Sequence, residues 1–137
     1  LNLGIREKYG LVYTIDATYS PYTDTGLFGV YFGTEKKQVN RTLALVQKEL
    51  KRLREQALGT AQLHTSKEQL MGQMAMAEES NGGMMQLLAK STLDIGRVES
   101  INEIFDRVRA VTAAELLDLA NDIFRDDNLS VLQYVPE

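Results

Sequence analysis

Arg6 and Tyr13 stand seven positions apart in IREKYGLVY, and they are the two side chains of this sequence best suited to chemistry. A guanidinium presents five N–H donors in a planar fork, and a phenol presents one O–H. Two such donors at one cleft can hold a substrate carbonyl and stabilise an oxyanion as it forms. The spacing permits that arrangement. A helical stretch ends near Lys8, Gly10 turns the chain, and Tyr13 lies three residues into an apolar run, so both side chains can reach one rim. The same pattern also fits a structural pair: a cation favoured by a helix C-terminus and a tyrosine at a sheet edge. Pattern alone leaves both readings open.

Other chemistries find fewer supports. His64 is the only histidine, and the chain has no cysteine. His64 and Glu68 are four apart on a predicted helix and could touch one metal ion, but no third ligand is placed to join them. A zinc site needs about three protein ligands and an open position, so His64 reads as an exposed residue near a helix start. A Ser–His or Cys–His nucleophile fails for the same shortage, with no serine in a nucleophile-elbow setting. The glycines of GLFGVYFG lie in a predicted strand and open no helix, so they form no phosphate cradle. Glu78 and Glu79 are adjacent, and on a helix their side chains diverge. Met71, Met74, Met76, Met84 and Met85 read as core and gap-filling residues, with a Met-rich binding groove as the sharper alternative. The chain thus offers two substrate-binding candidates, Arg6 and Tyr13, with no catalytic residue and no metal ligands of its own.

The elements that must position these residues follow from periodicity. Leu1 to Lys8 fits a helix closed at Gly10. Leu11 to Ser20 alternates as a strand, with Leu11, Tyr13, Ile15, Ala17 and Tyr19 on one face and Val12, Thr14, Asp16, Thr18 and Ser20 on the other. PYTDTG is a turn, and LFGVYFGT returns as a second strand. From Lys36 the period changes: Val39, Leu43, Val46, Leu50 and Leu53 mark one helix face, with Lys48, Lys51, Arg52, Arg54 and Glu55 away from it. Gly59 breaks that helix and Thr60 can cap the next, which runs to about Ser80 with Leu63, Leu70, Met74 and Ala77 inward. Asn81-Gly82-Gly83 punctuates the pattern before a helix from Met84 to Ile95. Ser100-Ile101-Asn102-Glu103 and Thr112-Ala113-Ala114-Glu115 are capping boxes that open helices through Arg109 and Phe124. RDDN is a turn, and Leu129 to Val135 alternates as a last strand.

This order of helix, hairpin, helices and strand indicates an α+β fold, an antiparallel sheet with helices packed on one face. The 137 residues make one domain rather than two. With no initiator Met, an opening that reads as a helix entered partway, and only three strands, we expect residues 1–137 to be a single partial domain. Its sheet is then incomplete on the N-terminal side, and the chain is a piece of a longer protein. An exposed sheet edge of that kind would favour a homodimer. A net charge of −4 argues against a nucleic-acid partner, which would favour a basic patch. No apolar run is long enough for a membrane span.

REKYGLVYTI resembles the RE-K-x-GL-x-Y signature in the C-terminal, non-catalytic half of the pitrilysin/insulinase family of zinc metallopeptidases. DTGLFGVYFGTEKKQV, KEQLMGQMAMAEESN, GRVESINEIFDRVRAVTAAELLDLANDIF and DDNLSVLQYVP are similar to successive stretches of that half, in order and spacing. Gly82-Gly83-Met84-Met85 departs from it, since many relatives carry an arginine before a Met there. The resemblance implies a half-domain of the processing-peptidase type. Two homologous halves would close around a peptide, with zinc held by an inverted His-x-x-Glu-His motif in the other half. This chain lacks that motif. The resemblance also implies that Arg6 and Tyr13 bind substrate beside the zinc and help stabilise the tetrahedral intermediate. Expected partners are a peptide substrate and the catalytic half, in the same protein or in a partner subunit. The alternative it leaves is a non-catalytic structural or partner subunit of the same fold.

Overall fold

The computed structural model describes residues 1–78 and 81–135. It opens on a short helix, Asn2–Glu7, wound in wide π-type turns. Ile5 points inward and is 1% exposed. Gly10 closes the segment. Its N–H donates to the Arg6 carbonyl at 2.9 Å, and its φ of +60° reverses the chain, a conformation that penalises any residue with a Cβ. The expected helix and its stop are both present.

Strands β1, Thr14–Pro21, and β2, Gly26–Gly33, form an antiparallel hairpin. The register sets Ile15 opposite Phe32, Ala17 opposite Val30 and Tyr19 opposite Phe28, which gathers the apolar side chains on one face. The expected face of the first strand needs a correction. Val12 and Ile15 are both buried, whereas Tyr13 is 66% exposed. Period-two alternation holds only inside a strand, and β1 starts at Thr14 rather than Leu11. Val12 fills the core from the connecting loop, and Tyr13 turns outward.

Helix α1, Val39–Glu55, follows a single 3-10 turn at Lys36–Gln38. Its buried line is Thr42, Val46 and Leu50. Leu53 is exposed, and Arg54, expected on the solvent side, is half-buried. A row of i+4 steps runs 42, 46, 50, 54, and the long Arg54 stem can lie along the core while its head reaches polar groups. Arg54 Nη1 donates to the Phe124 carbonyl at 3.1 Å, and Asn121 Nδ2 donates to the Arg54 carbonyl at 2.9 Å. These bonds satisfy carbonyls at helix ends that have no partner within their own helix. Ile5, Val12, Ile15, Val46 and Leu50 form the core of this first unit, which comprises Leu1–Gln56 and the chain from Leu119 onward. Phe28 and Phe124 pack edge-to-face against it, 4.9 Å between centroids.

The second unit, Ala57–Asp118, is helical. It holds α2, Thr60–Glu78, α3, Asn81–Ile95, α4, Ile101–Ala110, and the first turns of α5, Ala113–Ile123. In α2 the buried residue is Met71, and Leu70 is 46% exposed. The expected inward line therefore shifts: Leu63 and Met74 are half-buried, Met71 takes the place expected of Leu70, and the Ala77 side chain lies outside the described residues; apolar residues on several sides of α2 made its inward face hard to read. Gly82 and Gly83 lie inside α3 and do not interrupt it. Glycine weakens a helix without forbidding it. Gly96, at φ +77°, ends α3. Both capping boxes form. The Ser100 N–H donates to Glu103 Oε2 at 2.7 Å and the Glu103 N–H to Ser100 Oγ at 3.3 Å. The Thr112 N–H donates to Glu115 Oε2 at 2.7 Å and the Glu115 N–H to Thr112 Oγ1 at 3.2 Å.

The turn at RDDN is a 3-10 turn, Asp126–Asn128. The expected last strand is not formed: among the described residues the sheet has two strands, β1 and β2. Leu132 and Tyr134 are 79% and 86% exposed. Alternation equips a segment with two faces, but a strand also needs a neighbour whose N–H and C=O groups complete the ladder, and no described segment supplies one here. The class remains α+β. Among the described residues no helix is long and apolar enough to cross a membrane.

Candidate functional site

Arg6 and Tyr13 flank the Gly10 turn, and each stands beside a residue that anchors it. Ile5 is sunk in the core, so Arg6, one position on, is carried to the surface. The Arg6 side chain makes no hydrogen bond or ion pair among the described residues, while its carbonyl accepts from the Gly10 N–H. The charge-rich opening therefore divides its labour. Lys8 lies over the Tyr9 ring at 5.6 Å, while the Arg6 fork remains available.

Tyr13 is held more closely. Its N–H donates to the Gly33 carbonyl at 2.8 Å, one rung beyond the hairpin. The Thr34 hydroxyl donates to the Leu11 carbonyl from the same side. The Tyr13 hydroxyl itself donates to Glu35 Oε1 at 3.3 Å. Residues 11–13 are thus stitched to residues 33–35, and the phenol projects from that seam. Arg6 and Tyr13 share no hydrogen bond with each other. Glu35 escaped the sequence reading. Its only signal was its place directly after the second strand, ahead of Lys36-Lys37.

The other candidates separate clearly. His64 is exposed, and no three His, Cys, Asp or Glu side chains group as a metal site among the described residues. Of the methionines, Met71 is buried, whereas Met76 and Met85 are 65% and 67% exposed. The Glu78–Glu79 pair lies outside the described side chains. A polar depression lined by Lys51, Arg54, Glu55, Asn121 and Asp126 is filled by its own charge pairs, Lys51–Glu55 and Arg54–Asp126, each at 3.6 Å.

The second unit carries a charge cluster that sequence reasoning also missed. Glu99, with a side chain 6% exposed, accepts from Arg97 Nη2 at 2.8 Å and from Arg107 Nη2. Arg97 also reaches Glu103 Oε1 at 3.1 Å. The backbone N–H of Ser100, then its hydroxyl, then Arg97 hold the Glu103 carboxyl down from 4.5 to about 2. The Thr112 backbone N–H and hydroxyl lower Glu115 in the same way. The Ser100–Glu103 and Thr112–Glu115 pairs fasten the starts of α4 and α5.

Comparison with known proteins bears on the whole chain. Residues 1–70 match the family model described as the peptidase M16 inactive domain. An uncharacterized zinc protease of Streptomyces coelicolor is 33% identical over 93% of the chain, which spans 28% of that relative. The mitochondrial-processing peptidase subunit beta of Saccharomyces cerevisiae is 24% identical over 73% of the chain and 22% of its own length. Among solved structures, a chain of complex III2 from Candida albicans superposes with a TM-score of 0.78 at 21% identity. That match covers 86% of this chain and 28% of the other. The chain therefore spans less than a third of the length of the relatives it matches.

Proposed function

The chain belongs to the peptidase M16 inactive-domain family, and from that premise we propose that it is the substrate-binding, non-zinc half of a zinc-dependent endopeptidase. The zinc and its ligands belong to the other half, in the same longer protein or in a partner subunit. This segment alone is inactive. The peptide lies between the halves, and this chain contributes Arg6 and Tyr13. The observation that carries the reading is the exposure of both side chains beside residues that the core does use. Ile5 and Val12 are buried, while Arg6 and Tyr13 next to them stand in solvent with donors aimed away from the core. The guanidinium fork suits a peptide carbonyl, and the phenol O–H suits an oxygen that gains negative charge during attack.

The test uses the full-length protein. Tyr13→Phe keeps the ring and deletes the hydroxyl. Loss of one oxyanion donor costs about 2.7–4 kcal/mol at the transition state. This donor is solvent-exposed, so we expect the lower end or less: a fall in kcat/KM of about tenfold or more, with unchanged melting temperature and zinc content. Arg6→Lys should also lose activity, because a point charge cannot reproduce the planar fork. Parental cleavage by both variants, or losses that track unfolding, would leave the two residues structural.

The second reading is a non-catalytic structural or partner subunit of the same fold; what supports it is that a relative, the processing-peptidase subunit beta, is by name one subunit of a larger assembly. One measurement separates the two. About one equivalent of zinc in the full-length protein, with peptide cleavage, supports the single-chain enzyme. A zinc-free protein that becomes active only with a second subunit supports the partner role.

A further inference from the structure

We infer that Glu35 is the positioning residue for the Tyr13 phenol, an inference that rests on the functional reading above. Tyr13 is two-thirds exposed, so packing does little to fix its ring, and a solvent-exposed side chain otherwise moves among staggered rotamers. Its position depends on two bonds. The backbone rung to Gly33 fixes the Cα, and the hydroxyl bond to Glu35 Oε1, a long one at 3.3 Å, is the contact that orients the ring.

The backbone of Glu35 is fixed, and its exposed side chain starts from that point. It stands directly before the 3-10 turn that leads into α1, with extended φ and ψ of −68° and 146°, and its carbonyl accepts from the Gln38 N–H at 2.8 Å. A carboxylate at that place is expected to cap the helix or pair with a neighbouring lysine. It does neither. No side-chain capping bond is made, and among the described residues Glu35 forms no ion pair with Lys36 or Lys37. Its side chain instead accepts from the phenol, 22 residues away in sequence. The helix start still favours a negative charge there, which keeps the carboxylate at the seam.

The consequence for binding is specific. A phenol has one hydrogen to donate, and in the free protein Glu35 takes it. A substrate oxygen must accept that hydrogen in place of the carboxylate. An oxygen that carries developing negative charge competes better than a neutral carbonyl, because hydrogen bonds to ionised acceptors are the stronger ones. Glu35 therefore keeps the ring aimed while biasing release of its hydrogen toward the reacting state.

The experiment is a double-mutant cycle in the full-length protein, read by kcat and KM separately. Glu35→Ala should lower kcat about three- to tenfold, the size of one net hydrogen bond, and change KM little. Glu35→Gln, which keeps an acceptor oxygen at the same place, should recover most of the loss. In a Tyr13→Phe background Glu35→Ala should cost on the order of twofold or less, because there is no hydroxyl left to aim. Tyrosine-selective carbon NMR supplies a readout independent of turnover: Glu35→Ala should shift the Tyr13 ring signal, identified by its loss in Tyr13→Phe. Independent, multiplicative effects of the two substitutions, no rescue by Gln, or an unmoved ring signal would each overturn the role of Glu35 while leaving the reading of Tyr13 intact. A Tyr13→Phe protein with parental kcat would remove that reading, and this inference with it.

Discussion

Glu99 offers a measurable test of how burial decides the cost of breaking a charge cluster. Its side chain is 6% exposed, whereas its partners Arg97 and Arg107 are 57% and 63% exposed. The two sides of the same ion pairs therefore have unequal alternatives. Glu99→Gln removes the buried charge, keeps one acceptor, and lets both guanidiniums turn to water. A net hydrogen bond to a charged group contributes about 1.5–3 kcal/mol, and exposed pairs fall well below that range. With both arginines more than half in solvent, we expect Glu99→Gln to cost about 1–2 kcal/mol. The reverse perturbation, Arg97→Ala with Arg107→Ala, leaves a carboxylate enclosed without its partners. Stranding a buried charge costs about 3–5 kcal/mol. Urea unfolding of the chain, followed by helical circular dichroism and extrapolated to water, separates values this far apart. If the double arginine variant is no less stable than Glu99→Gln, Glu99 is effectively hydrated and the cluster is a surface feature.

Two further expectations concern stability. Leu50→Ala should cost about 2–5 kcal/mol because Leu50 is in the core, whereas Leu53→Ala should cost about 1 kcal/mol or less because Leu53 is 38% exposed; equal losses would place the inward face of α1 elsewhere. The capping boxes predict acid sensitivity. Glu103 is ordinarily half-protonated at 4.5 and is held at about 2 in the fold, so the stability it contributes is complete above pH 4.5 and is lost as pH falls toward 2. Glu115 acts with the same sign. Thermal melts at stepped pH should show a midpoint that declines through this window, and Glu103→Gln should flatten the decline.

Local rules carried most of what was legible in the sequence. The capping boxes, the stop at Gly10, the hairpin and the long helix after it each depend on a few neighbouring residues, and each formed. The misreadings share a different cause: a residue's face depends on where its element starts and on what lies opposite. Leu70 and Met71 are adjacent in a helix with apolar residues on several sides, so their neighbours decide which one is buried. Leu129 to Val135 alternates correctly and still forms no strand, because its sequence does not contain its partner. Gly82 and Gly83 read as punctuation because glycine weakens helices, yet α3 includes both. Glu35 and Glu99 were invisible for the same reason. Glu35's partner stands across the hairpin, 22 positions away, and Glu99 is paired with Arg97 two residues back and Arg107 on α4, spacings that no helix or strand periodicity marks.

Tyr13 shows how one such misreading bears on function. Alternation from Leu11 would have turned its ring into the core beside Ile15, where the hydroxyl would need a buried partner and could not meet a peptide. The later start of β1 reverses this. Val12 takes the inward place from the loop, and the phenol emerges with its oxygen on Glu35. Arg6 is set by the same logic, because an opening helix that commits Ile5 to the core must carry the next residue outward. The fold would lose little if either exposed side chain were shortened. Neither donor is committed to the core, and that is the physical ground for the proposal that they serve substrate rather than stability.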